Sequence, residues 1–271
     1  MYKMVTCDLD ETLLTDDKKI TPENIKLIQT AAAKGIYFVP NTGRNYLTVQ
    51  KNLRELGLFQ KKNEYVISFN GGAIVENKDN RFLKVNPMSF ETIAQLFKLG
   101  VEHNYCIHVY SLHELYIWNM NQNEIAYLSG RINGWVDLEE DNIEKLRGKE
   151  LVKILFFVPA AKERRELREF VTENINDNLN ITFSSDRYIE FNDPAADKGR
   201  ATLQLGEQLG IKPAEIIAIG DNSNDLPMIQ KAGLGVCVSN GKDFVKEHAN
   251  YITKRDNNHS AVAEVIEKFI L

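Results

Sequence analysis

Over the first 76 residues, short apolar runs alternate with amphipathic stretches. Residues 3–8 predict a strand. Thr21-Pro22-Glu23 predicts a helix start, with a capping hydroxyl, a proline in the first turn and an early acid. Ile25, Ile28 and Ala32 give that helix an apolar face, and Gly35 ends it. Residues 36–40 predict a second strand, 46–56 a second helix and 65–69 a third strand. This βαβαβ rhythm implies a parallel sheet with helices outside it.

The rhythm returns near the other end. Ala201, Leu205 and Leu209 mark a helix closed by Gly210. Residues 215–219 are nearly unbroken Ile and Ala, as expected of a strand buried on both faces. Residues 225–231, 234–238, 242–248, 251–253 and 260–269 continue the alternation. In between the pattern changes: strands at 106–110 and 115–118 flank a short Ser/His turn. Two more strands fall at 152–158 and 181–183, with helices near 89–103 and 161–174 and a polar connector at 119–123. Adjacent strands joined by a tight turn point to an antiparallel sheet with helices on one face. The expectation is an α/β chain: a doubly wound, Rossmann-like core from residues 1–80 and 188–271, with an α+β cap inserted at 81–187. At about 150 residues per domain, 271 residues suit that division.

Composition narrows the partners. With 43% hydrophobic and 26% charged residues the chain is globular, neither disordered nor fibrous. Thirty-three basic against 38 acidic residues leave a net charge of −5, and no basic run is dense enough to track a phosphate backbone, so nucleic acid is not expected as a partner. Lys162, Arg164, Arg165 and Arg168 interleave with Glu163, Glu166 and Glu169, which reads as paired charges on a solvated helix face. The apolar stretch 154–161 is too short to span a bilayer, and Asp8 and Asp10 precede any apolar segment of signal-peptide length. Cys7, Cys106 and Cys237 are odd in number, far apart and set in apolar runs, as buried thiols in a reducing compartment would be. No membrane partner and a cytoplasmic location are expected.

The sharpest local feature is Cys7-Asp8-Leu9-Asp10-Glu11-Thr12, directly after the first strand. In an open parallel sheet, ligands bind at the carboxyl ends of strands. Gly220-Asp221-Asn222-Ser223-Asn224-Asp225 ends another buried strand. Facing each other, the two acidic clusters would repel unless a cation lay between them. Oxygen donors without nearby His or Cys suit Mg²⁺, which usually works with a phosphate substrate. Thr42-Gly43-Arg44 and Asp197-Lys198-Gly199 each open a predicted helix and offer a hydroxyl, backbone N–H groups and a lysine to an anion. Singly, each also has a structural reading: Thr42 as a helix cap, Gly43 for the turn, Lys198 on the surface.

Together, Asp8-Leu9-Asp10-Glu11-Thr12, Thr42-Gly43-Arg44, Lys198 and Gly220-Asp221-Asn222-Ser223-Asn224-Asp225 resemble the four motifs of the haloacid dehalogenase-like phosphatases. Their order and spacing, with Asn70-Gly71-Gly72 before the insertion, look like the Cof-type subgroup, whose cap is of type IIB. The resemblance implies that Asp8 is the nucleophile and Asp10 the general acid and base. It implies phosphate binding by Leu9, Thr42, Gly43, Lys198 and Asn224, and Mg²⁺ held by Asp8, the Asp10 carbonyl and Asp221. Asp225 supports Lys198 or the metal's waters, and Arg44 either reaches substrate or pairs with an acid. The implied activity is Mg²⁺-dependent hydrolysis of a small phosphorylated metabolite: a sugar phosphate, or pyridoxal phosphate or flavin mononucleotide. A phosphomutase and a non-catalytic phosphometabolite binder remain open. For Asp10 to act as an acid near neutrality its pKa must be raised, which burial and Asp8 could supply.

Glu11 stands where the family commonly has Gly, so either the loop accommodates a charged side chain or its backbone does not need Gly. The lead-in Asn192-Asp193-Pro194-Ala195-Ala196-Asp197 also departs from the family's usual sequence. His103, His108 and His113, five apart, match no common metal spacing. Tyr110, Tyr116 and Trp118 read as sheet packing. Asn240-Gly241 either lines the site entrance or makes a tight turn.

Overall fold

The computed structural model describes residues 1–129, 132, 134–175 and 178–271. The chain forms two compact units, Met1–Lys84 with Asp197–Leu271, and Val85–Ala196.

In the first unit, strand β1 (Met4–Cys7) is buried along its whole length and is followed by helix α1 (Pro22–Ala33). The Thr21 hydroxyl caps α1 by accepting from the Asn24 N–H at 3.3 Å. After β2 (Tyr37–Pro40), the chain does not enter a helix at Thr42. Asn45 is the cap, accepting from Leu47 N–H at 2.9 Å, and a tight turn from Tyr46 runs into α2 (Gln50–Leu56).

The third predicted strand differs from expectation. β3 (Tyr65–Ser68) meets β2 through one parallel bridge, Asn41 to Ile67, and otherwise pairs antiparallel with β4 (Ala73–Glu76). Phe69, Asn70 and Gly71 all have positive φ, which turns the chain back on itself before it can run out into a helix. A Cβ on Gly71 would also lie 2.6 Å from the Asp197 carbonyl oxygen, so this turn requires glycine twice over. Strand β5 (Arg81–Val85) completes a three-stranded sheet.

The second unit opens with α3 (Phe90–Glu102), capped by Ser89, then β6 (Cys106–Ser111) and β7 (Leu115–Trp118). The connector expected at 119–123 runs at Gln122 into helix α4 (Gln122–Leu128), which Asn121 caps and whose Glu124 turns inward. β8 (Val136–Leu138), β9 (Leu151–Phe157), α5 (Ala161–Asn174), β10 (Asn180–Ser184) and β11 (Tyr188–Asn192) follow. The sheet order is β10-β11-β9-β6-β7-β8, antiparallel except for β7 with β8. Ile107, Val109, Ile154, Phe156, Ile189 and Phe191 form a core with α3 and α5 on one face; Tyr116 and Trp118 pack there too. Lys162 does pair with Glu166 on the exposed face of α5, but Arg164 does not belong to that face. It is buried and donates to the carbonyls of Val158, Pro159 and Asp186 at 2.7–2.9 Å, joining the helix start to the β10–β11 turn.

The chain returns to the first unit with α6 (Lys198–Gln208), β12 (Ile216–Gly220), α7 (Leu226–Lys231), β13 (Leu234–Cys237), α8 (Asp243–Lys246), β14 (Tyr251–Ile252) and α9 (Ala261–Phe269). Its main sheet is parallel throughout, in the order β14-β13-β12-β1-β2. The strand order reverses at β1, which lies between β2 and β12. The crevice beyond the carboxyl ends of β1 and β12 is therefore the place where such a sheet binds ligands. All three cysteines are free and buried. Among the described residues, no helix is long and apolar enough to cross a membrane.

Candidate active site

β1 and β12 run in register, Cys7 opposite Ile219, so Asp8 and Asp221 emerge side by side. After Asp8 the chain makes one wide turn, Leu9–Leu13, interrupted at Asp10 and Glu11. Glu11 sits in the left-handed region at φ 61° and ψ 8°, with its side chain in solvent. The loop thus accommodates a charged residue yet keeps a backbone that favours glycine. Asn240 fixes it: its amide donates to the Glu11 carbonyl at 2.7 Å, and its Oδ1 accepts from Asn257 N–H. Thr12 Oγ1 donates to Asp221 Oδ1 at 2.8 Å, tying the two acidic loops together.

Asp225 is fully buried beneath the β12 loop. A Cβ on Gly220 would lie 2.4 Å from that of Asp225, so the carboxylate occupies the space a side chain would need. Its Oδ2 accepts from the N–H groups of Asp221 and Asn222 at 3.0 and 3.1 Å. Its Oδ1 accepts from Lys198 Nζ at 2.6 Å, and Lys198 also donates to Asp8 Oδ1 at 2.6 Å. Lys198, at the start of α6, is buried, and its carbonyl accepts from Asn41 Nδ2 at 3.1 Å.

Carboxylate oxygens of Asp8, Asp221 and Asp225 lie within 4.8 Å of one another, all buried. Burial pushes the Asp8 carboxyl up to about 7; Lys198 pulls the other way, while Asp225 and Asp10 add to the rise. Burial, then Asp225 and Asp8, push Asp221 well above the ordinary range. Lys198 stays protonated despite its burial because Asp225 and Asp8 flank it. Three carboxylates against one lysine leave a charge deficit that a hard divalent cation fits, and all the donors are oxygens.

Asp10 turns elsewhere. Arg44 grips its carboxylate with two donors, Nε to Oδ2 at 2.7 Å and Nη2 to Oδ1, and Lys18 Nζ lies 3.4 Å from Oδ1. Burial pushes its pKa up, but Arg44 and Lys18 pull harder, and the carboxyl is held below the usual range. The expected rise therefore occurs at Asp8 and not at Asp10. Of the two readings of Arg44, this structure shows the pairing with an acid.

Thr42 is buried at the end of β2, its Oγ1 accepting from Arg44 N–H at 3.1 Å. Gly43 packs so closely that a Cβ would lie 2.9 Å from Asn70 Oδ1, which also accepts from Asn224 Nδ2 at 3.2 Å. Gly43, Asn70 and Asn224 thus converge, and Leu9 is buried behind the turn. Sequence reasoning gave no role to Thr12, although it ends the first motif, and did not find Lys18 or Asn41. No periodicity marks them, and Thr12 meets a partner 209 residues away. His103 stacks on Tyr105, and His108 is buried in the second unit.

A family model described as haloacid dehalogenase-like hydrolase matches residues 5–266. YxeH of Bacillus subtilis (strain 168), which carries a phosphatase name, is 30% identical over 271 residues, covering 100% of this chain and 99% of that protein. The 5-amino-6-(5-phospho-D-ribitylamino)uracil phosphatase YcsE of the same organism is 32% identical, covering 99% of this chain and 96% of its own length. Among solved structures, the subclass IIB sugar phosphatase BT4131 superposes with a TM-score of 0.86 at 18% identity, covering 98% of each chain, a likeness of fold. With that match along nearly the whole chain, the protein belongs to the haloacid dehalogenase-like hydrolase family and is a phosphatase of that family.

Proposed function

We propose that this protein hydrolyses small phosphomonoesters through an aspartyl-phosphate on Asp8, with Mg²⁺ as cofactor and sugar phosphates as the leading substrate class. One observation carries the reading: the Asp8 carboxylate shares buried Lys198 with Asp225 at the crossover of the parallel sheet, beside Asp221. An oxygen of Asp8 forms a bond to phosphorus as the ester P–O bond breaks, and the departing alkoxide takes a proton from Asp10. Water then attacks the phosphorus, Asp10 takes its proton, and the bond to Asp8 breaks to release inorganic phosphate. Lys198 places positive charge against the phosphoryl oxygens, and Thr42, the backbone at Leu9 and Gly43, and Asn224 orient them. Mg²⁺, held by Asp8, Asp221 and the Asp10 carbonyl, would offset the repulsion between carboxylate and phosphate dianion.

The resting Asp10 is ionised against Arg44 and Lys18. An arriving phosphate dianion competes for those two cations, and release from them lets burial raise Asp10 toward the acid form. Substrate choice is assigned to the α+β unit, residues 85–196. The related YcsE acts on a phosphorylated ribityl compound, which supports a sugar or sugar-alcohol phosphate over pyridoxal phosphate or flavin mononucleotide. Three free thiols support a cytoplasmic location. The test is a phosphate-ester panel run with Mg²⁺ and with chelator on the wild type and on Asp8→Asn. Phosphate release that needs Mg²⁺ and disappears in the variant is expected; near-normal turnover by Asp8→Asn overturns the mechanism.

A further inference from the structure

β6 places Cys106 and His108 on the same face of its sheet, two residues apart, and α4 turns Glu124 toward them. Their ligating atoms lie within 4.8 Å of one another, and all three residues are buried. Nδ1 of His108 has no hydrogen-bond partner among the described residues, although the ring is 1% exposed, and Nε2 faces only Glu124. A buried imidazole nitrogen without a partner calls for a physical explanation. Nε2 lies 3.2 Å from Glu124 Oε2. Two ligands each about 2.0–2.1 Å from a tetrahedral ion are themselves about 3.3 Å apart.

We propose that Cys106, His108 and Glu124 bind a borderline divalent transition-metal ion of the Zn²⁺ type, separate from the carboxylate centre at Asp8. Sulfur, imidazole nitrogen and carboxylate oxygen are the three protein donor types Zn²⁺ accepts, and this mixture suits it better than Mg²⁺. The proton count is simple: His108 ligates as the neutral ring that its burial favours, and Cys106 gives up its thiol proton to solvent as the metal–sulfur bond forms. The carboxylate is already oriented, because Tyr188 OH donates to Glu124 Oε2 at 2.7 Å and Arg187 pairs with Oε1 at 2.8 Å. Such contacts to a ligating group fix its direction. Arg187 also lines, with Tyr127, Phe157 and Ser185, an open pocket of about 710 Å³; on this proposal the ion and a water as fourth ligand enter from that side. Binding would fasten α4 to the sheet.

The experiment titrates the full-length, chelator-treated protein with Co²⁺ as the spectroscopic probe and with Zn²⁺ in competition. One Co²⁺ per chain giving a thiolate-to-cobalt charge-transfer band and tetrahedral visible bands is expected. Both should persist in Asp221→Asn, which disables the carboxylate centre. Cys106→Ala should lose the thiolate band and weaken Zn²⁺ binding by at least about 100-fold, more than the loss of an outer contact. Absence of the band in the wild type overturns the proposal, as does its survival in Cys106→Ala, which would place the thiolate at Cys7 or Cys237. If Cys106→Ala does not fold, Glu124→Gln should keep the band and lose at least about 10-fold in Zn²⁺ affinity; unchanged affinity overturns the proposal.

Discussion

Replacing Lys198 by Met tests the electrostatics of the carboxylate centre most directly. Met matches the length of the buried stem, so little cavity opens, but two hydrogen bonds of 2.6 Å to Asp8 and Asp225 disappear. Breaking a buried pair by removing one partner costs about 3–5 kcal/mol. Part of that cost is avoidable where Asp8 can bind a proton. Its folded pKa is raised to about 7 against 3.8, so the folded protein holds a proton there that the unfolded chain releases. The Asp8 contribution to wild-type stability therefore falls as pH rises toward 7 and levels off above it. Without Lys198 the ionisation of Asp8 moves higher still, and the decline continues past 7 at up to about 1.4 kcal/mol per pH unit for one proton. Urea unfolding of the chelator-treated proteins should show a gap of about 3–5 kcal/mol at pH 8 that narrows toward pH 6. Phosphate release with Mg²⁺ should fall by about 100–1,000-fold or more. A gap below about 1 kcal/mol at pH 8, or one independent of pH, would refute the idea that Lys198 neutralises buried carboxylates.

Two other substitutions probe neighbouring groups. Arg44→Met should move the titration of Asp10, followed by carboxyl NMR, upward, since burial is then opposed by Lys18 alone; an unmoved titration would show that Arg44 does not set the charge of Asp10. Glu11→Gly should stabilise the protein by about 0.5–1 kcal/mol, because a left-handed non-glycine costs about 1–2 kcal/mol and the added freedom of the unfolded glycine returns part of it. A lower thermal midpoint in that variant would mean that the Glu11 side chain contributes more than the strain of its backbone.

The acids at Asp8 and Asp221 could be read from the sequence because they end strands whose side chains are apolar on both faces. A run such as residues 215–219 admits few other placements. The hairpin after β3 was missed although Asn70-Gly71 is itself a turn signal, because Phe69 also takes a positive φ, where a bulky aromatic is not expected. Helix α4 was hidden for a related reason: its polar residues looked like connector, and the burial of Glu124 makes sense only beside Tyr188 and Arg187, 64 and 63 residues further along the chain. The same holds for charge. Burial alone predicts a raised pKa at Asp10, and only the positions of Arg44 and Lys18 reverse the sign.

That reversal bears on how the proposed reaction is controlled. Groups pushed apart in pKa mark acid and base roles, yet here the push is opposite to the one the chemistry requires. The proposed nucleophile, Asp8, is raised, and the proposed acid, Asp10, is lowered. In the proposed reaction, charge brought by its own participants shifts both groups the other way. Positive charge added beside Asp221 and Asp225 lowers Asp8, because like-charge crowding is one of the forces holding it up. A phosphate dianion that draws Arg44 and Lys18 away raises Asp10 by removing the two cations that hold it down. On this proposal each carboxyl moves toward its working protonation state as substrate and counter-charge arrive. Arg44 acts, on the same proposal, as a positioning residue, and its loss should alter the pH profile of phosphate release as well as the affinity for substrate.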